Sequence, residues 1–173
     1  MNKISLAVAV LLLSVTGNAV AANSLNTGVM GLNVSLSNTN TPADFMLNGR
    51  YLAAKDLALL AGFGLAMVDN AGKKHTDIGF TFGARKYMKT DDFAPFIGGK
   101  FQYMSTGAAA GDVTDLGFGV EAGAEYFVGK QFSVEGSVGF GYGSSEYKPA
   151  VGASSKNTTL GTRSFSMGAN FYF

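Results

Sequence analysis

Apolar and polar residues alternate along most of the chain with a period of two. The clearest case runs from Asp115 to Tyr126, where Leu, Phe, Val, Ala and Tyr occupy every second position and Asp, Glu and Gly occupy the positions between them. Successive side chains of a β-strand point to opposite faces, so this alternation predicts a strand with one apolar and one polar face. The polar face carries carboxylates and cannot contact hydrocarbon, whereas the apolar face can.

Seven further segments show the same division. The predicted strands lie at residues 28–36, 45–53, 57–68, 76–88, 93–104, 115–126, 132–143 and 162–173. Three connections are short and mostly charged, at residues 54–56, 89–92 and 128–131. The other four are longer and polar, at residues 37–44, 69–75, 105–114 and 144–161. Short turns at one end and long loops at the other are typical of membrane-spanning β-barrels.

The composition excludes the more common alternatives. Charged residues make up 14% of the chain, against about 25% in a typical soluble domain. After the N-terminal segment, no apolar run approaches the roughly 20 residues that a membrane helix needs. In lipid every backbone polar group needs a partner, so strands can span only as a closed barrel. We therefore predict an all-β fold, an eight-stranded antiparallel up-and-down transmembrane β-barrel. A soluble periplasmic barrel is the alternative, and it would be extracted without detergent.

The polar face of such a barrel lines its lumen and carries a set of ionisable side chains. Because a lone buried ion is costly and a paired one much less so, we expect opposite charges in this set to pair. We interpret the set as a structural network that fills the lumen. The alternative is a gate in a narrow, porin-like passive channel for small solutes or ions. The predicted network consists of Arg50, Asp77, Arg85, Lys100, Asp115, Glu121, Glu125 and Glu135.

The N-terminus has the pattern of a secretory signal peptide. Lys3 precedes an apolar stretch over residues 4–15, and Ala19-Val20-Ala21 fits the small-x-small cleavage rule. We predict a signal peptide at residues 1–22 and a barrel domain at residues 23–173. An N-terminal membrane anchor is the alternative, for which the apolar stretch is short.

Charge and residue content argue against several kinds of site. Lys and Arg together number 13 and Asp and Glu 12, so no charge excess indicates a nucleic-acid partner. The chain has no cysteine and a single histidine, His75. We therefore expect no thiolate nucleophile, no transition-metal site and no cofactor.

The final eight residues follow the order polar, x, Gly, x, x, aromatic, x, aromatic. Ser166, Gly168, Phe171 and Phe173 occupy the four specified positions. This motif resembles the β-signal of bacterial outer-membrane proteins, and the chain as a whole resembles the small eight-stranded barrels. That family includes outer membrane protein X, the transmembrane domain of outer membrane protein A and porin-like outer membrane β-barrel domain proteins.

The resemblance implies a location and partners. It places the chain in the outer membrane of a Gram-negative cell envelope, in contact with lipid, with the short turns on the periplasmic side. It also implies recognition of the four motif residues by the barrel-assembly machinery, and a monomeric barrel whose loops could contact an extracellular ligand. The expected role is structural or surface-interacting.

Some barrels of similar architecture are enzymes, the lipid A deacylases and palmitoyltransferases, which use a serine with a histidine near the outer rim. In this chain His75 falls in a predicted loop, and the candidate serines Ser105, Ser144 and Ser145 fall in other loops. No histidine lies near a serine of the last strands, where the deacylases carry theirs. We therefore expect no enzymatic activity.

Overall fold

The chain forms a ring of eight antiparallel strands that closes on itself. The computed structural model describes residues 23–37, 46–70, 73–108 and 110–173. Each strand pairs with the next along the chain, and the last pairs with the first. The eight predicted strands and their up-and-down order are thereby confirmed. Their bounds are β1 (Met30–Ser37), β2 (Met46–Ala54), β3 (Leu57–Asn70), β4 (Lys73–Tyr87), β5 (Phe93–Ala108), β6 (Gly111–Gly129), β7 (Phe132–Pro149) and β8 (Ser155–Tyr172).

The outer face of the ring is apolar, as the alternation predicts. Val120 on β6 is 55% exposed, and Phe63 on β3, Phe82 on β4 and Phe118 on β6 are also exposed. A continuous apolar belt of this kind is what a transmembrane barrel presents to hydrocarbon. In the described part of the chain, no helix has the length and apolar character needed to cross a membrane.

The strands are longer than predicted at one end of the barrel. β5 continues to Ala108 and β6 begins at Gly111, so most of the predicted loop at 105–114 is strand. Likewise, β7 continues to Pro149 and β8 begins at Ser155, which leaves only residues 150–154 of the predicted loop at 144–161. The prediction of two long loops here is wrong. Apolar and polar residues alternate where one face of a strand contacts lipid. Beyond the bilayer this alternation disappears, although the hydrogen-bonded pairing of the strands continues.

The other two long connections are only partly described. β3 runs to Asn70 and β4 begins at Lys73, so most of the predicted loop at 69–75 is also strand. Residues 38–45, which include most of the predicted loop at 37–44, lie outside the described residues, as does the predicted signal peptide. The three short connections are confirmed, and they define what we call the turn end of the barrel. The opposite end is the loop end.

At the loop end the strands β5 to β8 form an extended sheet. The ladder between β7 and β8 reaches Tyr147 opposite Ser155. From Tyr142, on the outer face, β7 continues for seven more residues to Pro149, which at about 3.3 Å per residue is roughly 23 Å of strand. The hairpin between β5 and β6 is tight, and Gly111 has φ 142° there, a conformation that favours glycine.

Candidate functional site

Inward-facing side chains from five strands meet in the part of the lumen nearer the turn end. They belong to β2, β4, β5, β6 and β7, and the alternation of each strand directs them inward. Six of the eight predicted lumen residues are joined there by ion pairs. We call these six the lumen charge network: Arg50, Arg85, Lys100, Glu121, Glu125 and Glu135.

Glu125 is the most enclosed member of the network. Its side chain is 0% exposed, and Arg50 Nη1 donates to its Oε2 at 2.9 Å. Tyr87 donates its hydroxyl to the same oxygen at 2.6 Å. The other oxygen, Oε1, accepts from the hydroxyls of Ser133 and Tyr172 and from the side-chain amide of Asn170. A carboxylate that accepts so many hydrogen bonds is well compensated for its loss of water.

Glu135 bridges the two arginines. Its Oε2 accepts from Arg50 Nη2 at 2.9 Å and from Arg85 Nη1 at 2.7 Å. Along the sheet, Glu125 and Glu135 are direct neighbours on β6 and β7. Like charges directly opposite each other destabilise a sheet. Here Arg50 and Arg85 offset that repulsion, because β2 and β4 present them to both carboxylates.

The remaining two members extend the network toward the loop end. Arg85 Nη2 donates to Glu121 Oε1 at 3.1 Å, and Lys100 Nζ lies 2.6 Å from Glu121 Oε2. The network therefore contains three cations and three carboxylates, and it carries no net charge. Opposite charges therefore meet in ion pairs within this part of the lumen.

Neutral partners of the network were not singled out from the sequence. Tyr87, Asn170 and Tyr172 all contact Glu125, and Arg85 Cζ lies 3.6 Å from the centroid of the Phe96 ring. Each of these residues occupies an inward position of the same period-two pattern. That pattern could have identified them, but it does not indicate which inward residues meet.

Two predicted members of the network lie apart from it. Asp77 faces the lumen on β4 and its basic neighbour within 4 Å is the imidazole of His75, while no ion pair joins Asp115 to another described residue. The inclusion of Asp77 and Asp115 in the paired network is therefore wrong, because both lie further toward the loop end. The assignment of His75 to a loop is also wrong, since His75 lies within β4.

Residues that precede β1 cover the turn end of the lumen. Leu25 is 0% exposed, while Asn23 donates to the backbone oxygen of Thr90 at 2.8 Å. The hydroxyl of Ser24 donates to the backbone oxygen of Lys130. Residues 23–29 thus contact the connections β4–β5 and β6–β7, and we call them the N-terminal cap. Leu25 inserts into an apolar cluster that also contains Leu52, Ala58, Tyr87, Ala94, Phe96, Phe127 and Tyr172.

Truncation of the buried Leu25 side chain of the N-terminal cap is expected to destabilise the barrel. Leu25→Ala should lower the free energy of unfolding by about 2 kcal/mol, the lower part of the range for buried leucines, because the cap can detach without unfolding the strands. Urea unfolding monitored by gel mobility measures this change. Thr27→Ala, at an exposed position of the same segment, is the control and should change stability by less than about 0.5 kcal/mol. Equal effects of the two substitutions on stability would show that Leu25 does not pack against the apolar cluster at the turn end.

The four residues of the terminal motif lie at the seam that closes the ring. Ser166 and Gly168 pair with β1 on one side and with β7 on the other. The rings of Phe171 and Phe132 have centroids 4.9 Å apart. The Phe173 backbone exchanges hydrogen bonds with Met30 at 2.9 and 3.2 Å. The motif is therefore part of the last strand that must be positioned before the barrel can close.

The lumen contains no serine–histidine pair among the described residues. His75 makes its polar contact with Asp77. Ser105 lies opposite Ile78, which is exposed on the outer face. No group of three or more His, Asp or Glu side chains in the described ranges is arranged to hold a metal ion.

Solved structures with this fold include two bacterial barrels. The N-terminal β-barrel domain of Pseudomonas aeruginosa OprF aligns with a TM-score of 0.53 and 13% identity, over 85% of this chain and 98% of that chain. Outer membrane protein AlkL, solved in DMPC lipid bilayers, aligns with a TM-score of 0.57 and 11% identity, over 91% and 96% of the two chains. No protein-family model matches the sequence, and no curated protein is similar to it in sequence.

At these identities the similarity concerns the fold. The chain has the fold of the small bacterial outer-membrane β-barrels, which confirms the resemblance found in the sequence.

Proposed function

We propose that this chain is a non-catalytic outer-membrane β-barrel with a closed lumen, and that its role is structural or surface-interacting. The observation that supports this most directly is the lumen charge network. Its two arginines and Glu125 are almost completely buried, and each contacts side chains from other strands across the lumen. Ions or solutes would have to separate these pairs in order to pass.

The N-terminal cap provides a second barrier. It lies across the turn end, where Leu25 and its apolar neighbours exclude water. A solute that passed the charged layer would meet this apolar layer next. The charge network and the apolar cap are two successive barriers of different chemistry. Together they favour a closed barrel rather than a channel.

The extended sheet at the loop end supports a surface-interaction role. In the periplasm-to-surface orientation implied by the resemblance, β5 to β8 extend beyond the apolar band on the outer side. The tip of the β7–β8 hairpin carries Val151, which is 92% exposed. This sheet would be the part of the protein available to an extracellular ligand.

Planar-bilayer recordings test the closed lumen. We expect the purified barrel to produce no discrete openings, because the charge network and the cap both obstruct the lumen. Openings whose conductance or ion selectivity changes in Glu121→Gln or Arg85→Gln would overturn this proposal in favour of a narrow passive channel. Gel mobility before and after heating verifies that the recorded samples contain folded barrel.

We infer that residues 1–22 are removed as a signal peptide, that residues 23–173 form the mature domain, and that Ser166, Gly168, Phe171 and Phe173 are recognised by the barrel-assembly machinery. The seam position of these four residues supports this, because the last strand completes the ring. The intact mass and heat-dependent gel mobility of protein from the outer-membrane fraction test cleavage, location and folding together. A full-length mass, or recovery in buffer without detergent, would contradict it.

A further inference from the structure

The half of the lumen nearer the loop end contains a carboxylate that nothing in the charge network balances. Asp77 is 4% exposed, and neither oxygen of its carboxylate has a hydrogen-bond partner in the part of the chain that the structure describes. The three cations of the network are held by glutamates closer to the turn end. A buried and unpartnered carboxylate is costly, so Asp77 requires a cationic or hydrogen-bonding group that the network does not supply.

Among the described residues, the basic side chain within 4 Å of Asp77 is His75. Its Nε2 lies 3.7 Å from Asp77 Oδ2. This separation exceeds the roughly 2.7–3.2 Å of a hydrogen bond between nitrogen and oxygen. The two atoms therefore face each other without a direct bond, and a third atom can lie between them.

The positions of the two residues explain why they converge. His75 and Asp77 are two residues apart on β4, so their side chains project from the same face of the strand. The His75 side chain is 25% exposed, whereas that of Asp77 is nearly enclosed. An ion that entered from the loop end would reach the imidazole first and the carboxylate behind it.

The separation fits two ligands of one metal ion. With metal–nitrogen and metal–oxygen distances of about 2.0–2.1 Å, atoms 3.7 Å apart subtend an angle of about 124–135° at the ion. A small rotation of either side chain would bring this angle to the tetrahedral value. An imidazole together with a carboxylate favours divalent ions of the nickel, copper and zinc group, since calcium and magnesium prefer oxygen ligands alone.

The residue content led us to expect no transition-metal site, but this geometry points to one. We propose that His75 Nε2 and the Asp77 carboxylate form a binding site for a divalent transition-metal ion at the loop end of the lumen. Because the described residues contain no larger group of ligating side chains, the protein would supply these two ligands and water would complete the coordination. The ion would balance the negative charge of the Asp77 carboxylate, which forms no ion pair with the lumen charge network. This site is independent of whether the lumen conducts.

Calorimetric titration of the folded barrel in detergent with Zn²⁺ alone tests the proposal. The protein is prepared without a histidine tag, and because it has one histidine and no cysteine, few other groups compete for the ion. We expect one Zn²⁺ per chain, no comparable binding of Mg²⁺, and a shift of the single histidine ring signal in NMR spectra. His75→Ala and Asp77→Asn should each weaken binding by roughly tenfold or more.

The matched control is Asp115→Asn, which removes another lumen carboxylate outside the network and should leave Zn²⁺ affinity unchanged. Gel mobility before and after heating establishes that each variant is folded. Three outcomes would overturn the proposal: no binding by the unmodified barrel, binding that persists in His75→Ala, or a loss in His75→Ala with full affinity in Asp77→Asn. The last result would assign the ion to the histidine without the lumen carboxylate.

Discussion

Replacing Glu125 with alanine is expected to lower the free energy of unfolding by about 3–5 kcal/mol, the usual result of removing one partner from a buried ion pair. Glu125 accepts hydrogen bonds from Arg50, Tyr87 and three further side chains, and none of these donors can turn to water. Without it, three cations share the carboxylates of Glu121 and Glu135. Because domains are stable by only about 5–15 kcal/mol, this loss should be apparent as a lower urea midpoint.

Two further variants separate charge from packing. Glu125→Gln keeps the shape of the side chain and removes its charge, so it should retain the packing but still destabilise the barrel. Asp115→Asn also neutralises an inward carboxylate, but one that makes no ion pair with a described residue, and its midpoint should match that of the unmodified protein. If Asp115→Asn destabilises as much as Glu125→Gln, the loss reflects the general charge of the lumen, and the network is not the cause.

Placing arginine on the outer face at Val120 is expected to destabilise the barrel in phospholipid vesicles by about 2–4 kcal/mol, the penalty for a cation at the bilayer midplane. Tyr126 is an exposed aromatic residue near the turn end of β6, and aromatic residues on the outer face of such barrels lie at the membrane interfaces. Val120 lies six residues from Tyr126, and a tilted strand crosses the membrane in about 9–11 residues. Val120 is therefore near the middle of the crossing. In a soluble barrel the same position would face water, and arginine would be tolerated there.

The matched control places arginine at Val151, which is exposed at the tip of the β7–β8 hairpin. Beyond the bilayer a cation contacts water, so Val151→Arg should change stability by less than about 0.5 kcal/mol. Unfolding in vesicles, followed by gel mobility, compares the two variants. Equal tolerance of both substitutions would mean that the outer face does not contact hydrocarbon.

The inward and outward positions of the strands could be predicted from the sequence alone. Alternation is a local property, because each strand directs successive side chains to opposite faces whatever its neighbours are. It therefore predicted eight strands, an apolar outer face and a charged lumen. The same reasoning predicted a last strand that includes Phe171 and Phe173. β8 ends one residue before Phe173, and both residues lie at the closing seam.

The ends of the strands at the loop end could not be predicted in this way. Residues 105–114 and 144–161 lack alternation because both faces of the sheet contact water there. Their strand structure depends on pairing between neighbours, as at Tyr147 opposite Ser155. Pairing across a hairpin is a tertiary contact, and small polar residues in a sequence do not distinguish it from a loop.

The sequence by itself determined the class of barrel and which charges face inward, because both follow from a period of two along each strand. Only the tertiary structure decided which charges meet, since closure of the ring brings Arg85 to Glu135, 50 residues away, and leaves Asp77 apart. It likewise decided that Leu25 packs into the turn end. Contacts across a lumen depend on the register and tilt of all eight strands at once, and no local pattern encodes these.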